Sequence, residues 1–291
     1  MRKYIREAFR RVIMFYPFEK GKHAIVNKIY LPYLSPKKEQ YKIITAYNNI
    51  KFKVNLSKYI EAHLFLYRDY ELPTLRFIKE IINEQFTIFD IGSNIGFMSL
   101  VFANKVKKIY AFEAESNNFN DLISNIHLNS FKNIFAFNIA ITNEDKLITF
   151  YVVEGNNSGI HSTLLNKSLP QKSIQVQGIS IDSFVSQNNI QKVDLIKMDI
   201  EGAEMDAIWG MQHLLSRDKP IIITEMAAEQ QNLNGVSIKS FKLNLAQLGY
   251  NSYKITKTGK LLTSSIDEFH LSDNIVFAHT DNTPRGLVIK N

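Results

Sequence analysis

Four residues in the stretch TIFDIGSNIGFMSL are of types that hold a polar ligand close to the backbone: Asp90, Gly92, Asn94 and Gly96. They stand between two apolar runs, and a strand followed by a glycine turn and a helix amino terminus forms a seat for a nucleotide-like ligand. The glycines let the backbone turn sharply and approach such a ligand. The alternative is a glycine turn with a capping aspartate.

The identity of that ligand is narrowed by the residues around the glycines. A dinucleotide fingerprint has glycine where Asn94 and Phe97 stand, and the Gly-Lys-Ser or Gly-Lys-Thr of a phosphate loop is missing. A second acidic residue, Glu113, ends the next apolar run, KIYAFE. A carboxylate there can accept hydrogen bonds from both hydroxyls of an unphosphorylated ribose. The loop and Glu113 together indicate an adenosine that lacks phosphates.

A third group of chemically active residues lies in KMDIEGAE, where another apolar run ends. The carboxyl ends of parallel strands border the ligand crevice, so Asp199 and Glu201 are expected to face a reacting centre. The alternative is that Glu201 and Glu204 only stabilise the amino end of the following helix.

The elements that position these residues follow from the hydrophobic pattern. From residue 86 onward, apolar runs alternate with helical patterns, which is typical of a parallel sheet covered on both faces. The predicted strands are TIFDI, KIYAFE, NIFAFNI, VDLIKMDI and PIIITE, with NSYKI and NIVFAH completing the sheet. Residues 1–80 are predicted to form an amino-terminal extension of a basic helix, a hairpin and a lead-in helix, and residues 81–291 the α/β domain.

Composition excludes several classes of protein. The 291 residues contain no cysteine, which rules out disulfides, thiolate metal sites, iron–sulfur clusters and thiolate nucleophiles. No uncharged run reaches the roughly 18 residues of a membrane-spanning helix. The amino end does not read as a secretory signal, so a cytoplasmic location is expected.

The formal net charge of +7 favours association with anionic partners, and part of this charge lies in the amino-terminal helix. Three interpretations of this helix stay open: a solvated helix, a peripheral membrane contact that would make the protein membrane-associated, and nucleic-acid binding. Its apolar stripe, which includes Tyr4, Phe9 and Val12, would equally fit packing onto the main domain.

Several stretches, in one order and with similar spacing, resemble the FkbM family of S-adenosylmethionine-dependent methyltransferases over residues from about 60 to about 228. They are TIFDIGSNIG, YAFEAESNNFNDLISNIHLN, FNIAIT, ISIDSF, VDLIKMDIEGAE and KPIIITE. The resemblance implies a Rossmann-like class I methyltransferase domain with a mostly parallel seven-stranded sheet. It also implies an O-methyltransferase that acts on a hydroxyl of a sugar, a glycan or a related small metabolite.

The resemblance also assigns roles to the cofactor residues. The methionine part would be held by Asp90, Gly92, Asn94 and Gly96, the ribose by Glu113, and the adenine would lie near Asn138 and Ala140. The chain departs from the family at Ser93, where the family has alanine, and at Ala114, where it has proline. Neither difference removes a charged contact.

Methylation of a weakly acidic hydroxyl needs alignment of the reactants and a base. The candidates, in order, are Asp199, Glu201, His161 in a polar insertion, and Glu225 at the end of the fifth strand. A magnesium ion on Asp199, Glu201 and a third oxygen is the alternative, although no metal is expected. The polar stretch NNSGIHS is predicted either to recognise a polyhydroxylated acceptor or to be an exposed loop.

Two further functions stay open. A nucleic-acid methyltransferase would suit the positive charge, but the Asn-or-Asp-Pro-Pro-aromatic signature of the amino-methylating enzymes is missing, and two carboxylates at the reaction mouth would repel a phosphate backbone. The other open function is a non-catalytic module that keeps the fold and serves glycan assembly.

Overall fold

The computed structural model describes residues 2–16, 21–153, 162–163, 170–226, 237–266 and 273–289. The α-helices are α1 Arg2–Ile13, α2 Lys22–Ile25, α3 Tyr59–Tyr67, α4 Leu72–Ile81, α5 Phe97–Phe102, α6 Ser116–Leu128, α7 Ile181–Gln187, α8 Glu204–Trp209, α9 Gln212–Asp218 and α10 Ile238–Gln247. A π-helical segment covers Val26–Leu34, and 3₁₀ turns cover Tyr47–Asn49, Ala103–Lys105 and Arg285–Leu287.

The strands are β1 Tyr41–Thr45, β2 Lys51–Asn55, β3 Thr87–Ile91, β4 Lys108–Phe112, β5 Ile134–Phe137, β6 Ala140–Ile141, β7 Lys146–Val153, β8 Gln171–Ile179, β9 Leu195–Met198, β10 Ile221–Met226, β11 Tyr250–Ile255, β12 Leu261–Thr263, β13 Asp273–His279 and β14 Val288–Ile289. They form one large sheet, a three-stranded sheet of order β6-β8-β7 and the hairpin β1-β2.

Within the described residues the large sheet has nine strands, in the order β14-β12-β11-β13-β10-β9-β3-β4-β5. The five strands from β5 to β10 are parallel, and β13 runs antiparallel to both of its neighbours, β10 and β11. This is the doubly wound order. The chain runs outward from β3 through β4 to β5, and it then crosses back so that β9 lies on the other side of β3. The predicted Rossmann-like α/β fold is confirmed. The sheet has nine strands rather than seven because the short strands β12 and β14 extend the edge beyond β11.

Alternating side chains bury both faces of this sheet, as strands with helices on two sides require. In β3, Ile88 packs into one core and Phe89 into the other. The first core also contains side chains of the amino-terminal segment, α4, α5 and α6. The second contains side chains of α7, α8, α9 and α10. In α8, Met205 and Ile208 are buried, whereas 48% of Trp209 at the end of the helix is exposed.

The predicted hairpin near the amino end is present, with Asn48 and Asn49 in the left-handed conformation at its turn (φ 54° and 62°). It is fixed to α6 by side chains: the backbone N–H of Lys53 donates to Asn125 Oδ1 over 2.7 Å. The Lys53 ammonium also forms an ion pair with Asp121 at 3.1 Å. Among the described residues, no helix combines the length and the apolar character needed to cross a bilayer.

Candidate active site

A cleft of about 950 Å³ opens at the carboxyl ends of β3, β4 and β9. Its wall includes the glycine loop, Glu113 and the acidic residues Asp199 and Glu201. The amino-terminal segment adds Tyr70 and Glu71 to the same wall. The structure thus brings the residues of three separate sequence motifs into one cleft.

The glycine loop is held by main-chain hydrogen bonds between neighbouring strands. The N–H groups of Gly92 and Ser93 both donate to the carbonyl of Phe112, at 2.9 and 3.0 Å. Asp90 is buried, and its Oδ2 accepts the backbone N–H (3.1 Å) and the hydroxyl (2.5 Å) of Ser99. Asp90 therefore links the end of β3 to the first turn of α5, as expected of a capping aspartate. Asp90 also lines the cleft.

The glycines themselves are required by contacts within the protein. Gly92 has φ +78°, and a Cβ added there would lie 1.9 Å from the backbone carbonyl oxygen of Asp199. A Cβ on Gly96, with φ +87°, would lie 2.4 Å from Leu122 and 2.6 Å from Leu100. The close approach at Gly92 joins the loop after β3 directly to the end of β9.

We expect Gly92→Ala to destabilise the protein by about 3 kcal/mol or more, because it adds left-handed strain to a backbone clash. Urea unfolding followed by circular dichroism measures this change. Gly286→Ala is the matched control, since a Cβ there meets no atom within 4 Å, and its effect should stay within about 0.5 kcal/mol. Equal unfolding midpoints for the two variants would contradict the packing described here.

Glu113 is a buried carboxylate at the end of β4. Its Oε2 accepts the N–H of Asn94 and its Oε1 that of Glu115, each over 2.8 Å. Burial raises the pKa of Glu113 to about 7, although these two hydrogen bonds act in the opposite direction. A carboxylate offers about four lone-pair sites, so each oxygen can accept one further donor from the cleft. This geometry fits two hydroxyls of a ribose.

The two residues expected near an adenine differ in position. Ala140 is buried and lines the cleft between Ile139 and Ile141. Asn138 is exposed and lies outside that wall, where its amide donates to the carbonyls of Glu113 (2.8 Å) and Ala114 (3.0 Å). The structure therefore gives Asn138 a role in holding the Glu113 turn, and a direct contact of Asn138 with a cofactor stays a prediction.

Charged residues form a layer on one face of the three central strands. The apolar residues Ile88, Leu195 and Ile223 belong to the core on this face. Because side chains alternate along a strand, the residues two positions further on share the face, and these are Asp90 on β3, Lys197 on β9 and Glu225 on β10. Asp199 follows Lys197 by two more positions and lines the cleft.

Lys197 is the cation within this layer. Its Nζ lies 3.3 Å from Asp199 Oδ2 and 4.0 Å from Glu71 Oε1. Burial alone would lower the pKa of Lys197, but Asp199, Glu71 and Glu225 outweigh burial and raise it. Lys197 is therefore positively charged at neutral pH and forms an ion pair with Asp199.

Carboxylate oxygens of Glu71, Asp199 and Glu225 lie within 4.8 Å of one another. Burial, together with the charges of the neighbouring Asp199 and Glu71, raises the pKa of Glu225 to about 8. Such a trio could ligate a divalent cation. This trio differs from the magnesium site that the sequence offered as an alternative, which combined Asp199 with Glu201. Lys197 already places a positive charge beside two of the three carboxylates.

Glu201 and Glu204 have different surroundings. Glu204 is buried, and its Oε1 accepts the N–H groups of Ile200 and Gly202, each at 3.2 Å, so it stabilises the turn before α8. Glu201 has φ +55° and lines the cleft, and its buried Oε2 has no hydrogen-bond partner among the described residues. Burial, followed by the charge of Asp199, raises the pKa of Glu201 well above its ordinary value.

Three cleft residues were not singled out from the sequence: Tyr70, Glu71 and Lys197. A lysine within the apolar strand VDLIKMDI, two positions before Asp199, was a signal that could have identified Lys197. Nothing local in the sequence marks Tyr70 or Glu71. His161, a predicted base, lies outside the described residues, as does most of the polar stretch NNSGIHS.

Comparison with known sequences finds the domain described as the Methyltransferase FkbM domain over residues 90–252. This match covers more than half of the 291 residues. It contains the glycine loop, Glu113 and the end of β9.

Two curated relatives and one solved structure are similar to this chain. "Methyltransferase 1" of Beauveria bassiana is 29% identical over 143 residues, which are 43% of this chain and 57% of the relative. "Hexuronic acid methyltransferase AglP" of Haloferax volcanii is 24% identical over 153 residues, which are 53% of this chain and 61% of the relative. The chain thus spans about three-fifths of the length of these relatives. The crystal structure of methyltransferase FkbM from Methylobacillus flagellatus has a TM-score of 0.46 and 15% identity, covering 72% of this chain and 48% of that one.

Proposed function

This chain belongs to the FkbM family of methyltransferases, and from this membership we propose that it transfers the methyl group of S-adenosylmethionine to a hydroxyl oxygen of a sugar or glycan. The observation that carries the proposal is the single cleft that joins a ribose-type carboxylate to a charged acidic layer. Glu113 and the glycine loop form the donor side, and Asp199, Glu201 and Glu71 form the other.

The residues on the donor side suit S-adenosylmethionine. Glu113 has acceptor sites left for two ribose hydroxyls, and the cleft wall at Ile139, Ala140 and Ile141 is apolar, as a purine ring requires. No phosphate seat of the dinucleotide type is needed for this cofactor. When bound, S-adenosylmethionine supplies an electrophilic methyl group on a sulfonium.

Asp199 is the group that we assign as the base. Burial and the nearby charge of Asp199 raise the pKa of Glu225 to about 8 and that of Glu201 well above its ordinary range, so Glu225 is mostly protonated at neutral pH and Glu201 ionises less readily than an ordinary glutamate. Asp199 is half-buried and paired with the Lys197 ammonium, which orients it toward the cleft. Asp199 would accept the hydroxyl proton while the acceptor oxygen bonds to the methyl carbon and the carbon–sulfur bond breaks, its electron pair leaving with S-adenosylhomocysteine.

A sugar acceptor is supported by the acidic layer and by one relative. Carboxylates and a lysine accept and donate hydrogen bonds to hydroxyl groups, whereas several carboxylates at the cleft disfavour a phosphate backbone. The relative from Haloferax volcanii is described as a hexuronic acid methyltransferase. We therefore propose a sugar hydroxyl as the acceptor, and glycans with and without hexuronic acids are both tested, because the carboxylates that disfavour phosphate would also disfavour a uronate.

Incubation of the full chain with methyl-labelled S-adenosylmethionine tests this function. The acceptors are glycans with hexuronic acids, neutral glycans, nucleotide sugars and RNA. The expected product is a labelled glycan whose label resists mild alkali, because an O-methyl ether is stable where a methyl ester is hydrolysed. Label in RNA would instead support a nucleic-acid methyltransferase. Binding of S-adenosylhomocysteine without transfer to any acceptor would support a non-catalytic module.

A further inference from the structure

We propose that the outward face of α1 is a docking surface for an anionic lipid bilayer. The face consists of Tyr4, Ile5 and Val12, with Phe15 in the turn that follows the helix. Their exposed fractions are 78%, 47%, 72% and 80%, respectively. Large apolar side chains exposed together on one helix mark an interaction site more often than a solvated surface.

These residues share one side of the helix. At about 100° per residue, Tyr4, Ile5 and Val12 fall within an arc of about 100°. The exposed basic residues Arg11 and Lys3 lie on one flank of this arc, and Arg2 lies on the other. An apolar face bordered by cations is the arrangement of helices that lie in the interface of an anionic membrane.

The opposite side of α1 faces the protein and carries arginines. Arg6 is buried, and its guanidinium donates to Gln40 Oε1 over 2.7 Å. Arg10 donates to the carbonyl of Phe65 over 2.6 Å. Phe9 and Ile13 pack partly against the core. Because these polar anchors fix the helix orientation, the outward apolar residues cannot turn inward without breaking them.

Charge separates a lipid partner from other partners. The only acidic residue of α1, Glu7, forms ion pairs with Lys42 and, at 3.7 Å, with Arg10, and it offsets only a small part of the positive charge of the five basic residues of this helix. A two-fold contact between copies of this chain would bring the basic flanks of both copies together, which is unfavourable. A nucleic acid would satisfy the cations and leave Ile5 and Val12 in water. Anionic lipid satisfies both the cations and the apolar arc.

Flotation of the full chain with vesicles tests the proposal, which does not depend on the methyltransferase activity. We expect binding to phosphatidylcholine vesicles that contain phosphatidylserine and little binding to phosphatidylcholine alone. Binding should weaken with salt as the Debye length falls from about 10 Å at 0.1 M to about 3 Å at 1 M. The variant Lys3→Gln/Arg11→Gln should bind more weakly by about fivefold for each charge removed.

The apolar contribution is tested by a second variant. Tyr4→Ser/Val12→Ser/Phe15→Ser should bind about tenfold or more weakly than the wild type, because three apolar side chains no longer enter the interface. The matched control is Leu147→Ser/Trp209→Ser, which removes exposed apolar residues from β7 and α8 and should bind as the wild type does. Circular dichroism verifies that all variants are folded.

Three results would overturn the proposal. The first is no flotation of the wild type with anionic vesicles. The second is equal binding by the triple variant and the wild type. The third is a wild-type dimer in sedimentation that becomes a monomer in the triple variant, since this would identify the face as a contact between copies of the chain.

Discussion

Glu113→Gln is expected to weaken the binding of S-adenosylhomocysteine by about 100-fold or more. Hydrogen bonds to a charged group contribute about 1.5 to 3 kcal/mol each, and two ribose hydroxyls would lose the carboxylate that accepts them. The amide keeps the shape of the side chain and one acceptor oxygen for the backbone N–H of Asn94 or Glu115. Isothermal titration calorimetry measures the affinity, and thermal unfolding verifies the fold.

The affinity of the wild type should also depend on pH. Burial holds the pKa of Glu113 at about 7, and hydroxyl donors prefer the ionised carboxylate. Affinity should therefore rise as the pH increases through 7 and then level off, whereas the glutamine variant should show no such rise. Glu144→Gln, at a carboxylate that is 68% exposed, is the matched control and should bind as the wild type does. An unchanged dissociation constant for Glu113→Gln would contradict the assignment of the donor side.

Asp199→Asn is expected to lower kcat by about 100-fold or more, because general-base catalysis typically contributes 10²- to 10⁴-fold. Binding of S-adenosylhomocysteine should change by no more than a few fold, since Asp199 lies on the side of the cleft opposite to Glu113 in our assignment. Methyl transfer to the acceptor found in the panel measures kcat, and calorimetry measures cofactor binding.

Two further variants make this result specific. Asp281→Asn changes an aspartate that is 60% exposed and paired with Lys219, and it should leave kcat unchanged. Glu225→Gln should keep most of the activity, because Glu225 holds its proton at neutral pH. If Asp199→Asn is fully active and Glu225→Gln is inactive, Glu225 is the base and the assignment of Asp199 is wrong.

Local patterns in the sequence were sufficient for the parts of the site that are close in the chain. The glycine loop, Glu113 and Asp199 each end a strand whose apolar pattern is clear, so their meeting at one edge of the sheet could be predicted. The steric requirement for glycine at position 92 could not be predicted, because the atom that a side chain would meet is the carbonyl oxygen of Asp199, more than a hundred residues later in the chain.

Residues that reach the site from distant parts of the chain could not be predicted from the sequence. Glu71 belongs to a segment with no chemical signature and reaches Lys197 only through tertiary packing. The orientation of α1 has the same origin. Its apolar stripe equally predicted an inward face, but Arg6 and Arg10 find hydrogen-bond acceptors in later segments and turn Tyr4 outward.

The close approach of Gly92 to the carbonyl of Asp199 bears on how proteins of this family could diversify. Under the proposed function, the main-chain contact between Gly92 and Asp199 fixes the spacing between the donor side of the cleft and the base. Tyr70 and Glu71, by contrast, come from a separate segment of the chain, and Glu71 lies beside Lys197. Transplanting that segment between homologous proteins, with Glu71 retained, is therefore a route to altered acceptor choice that preserves the spacing of donor and base.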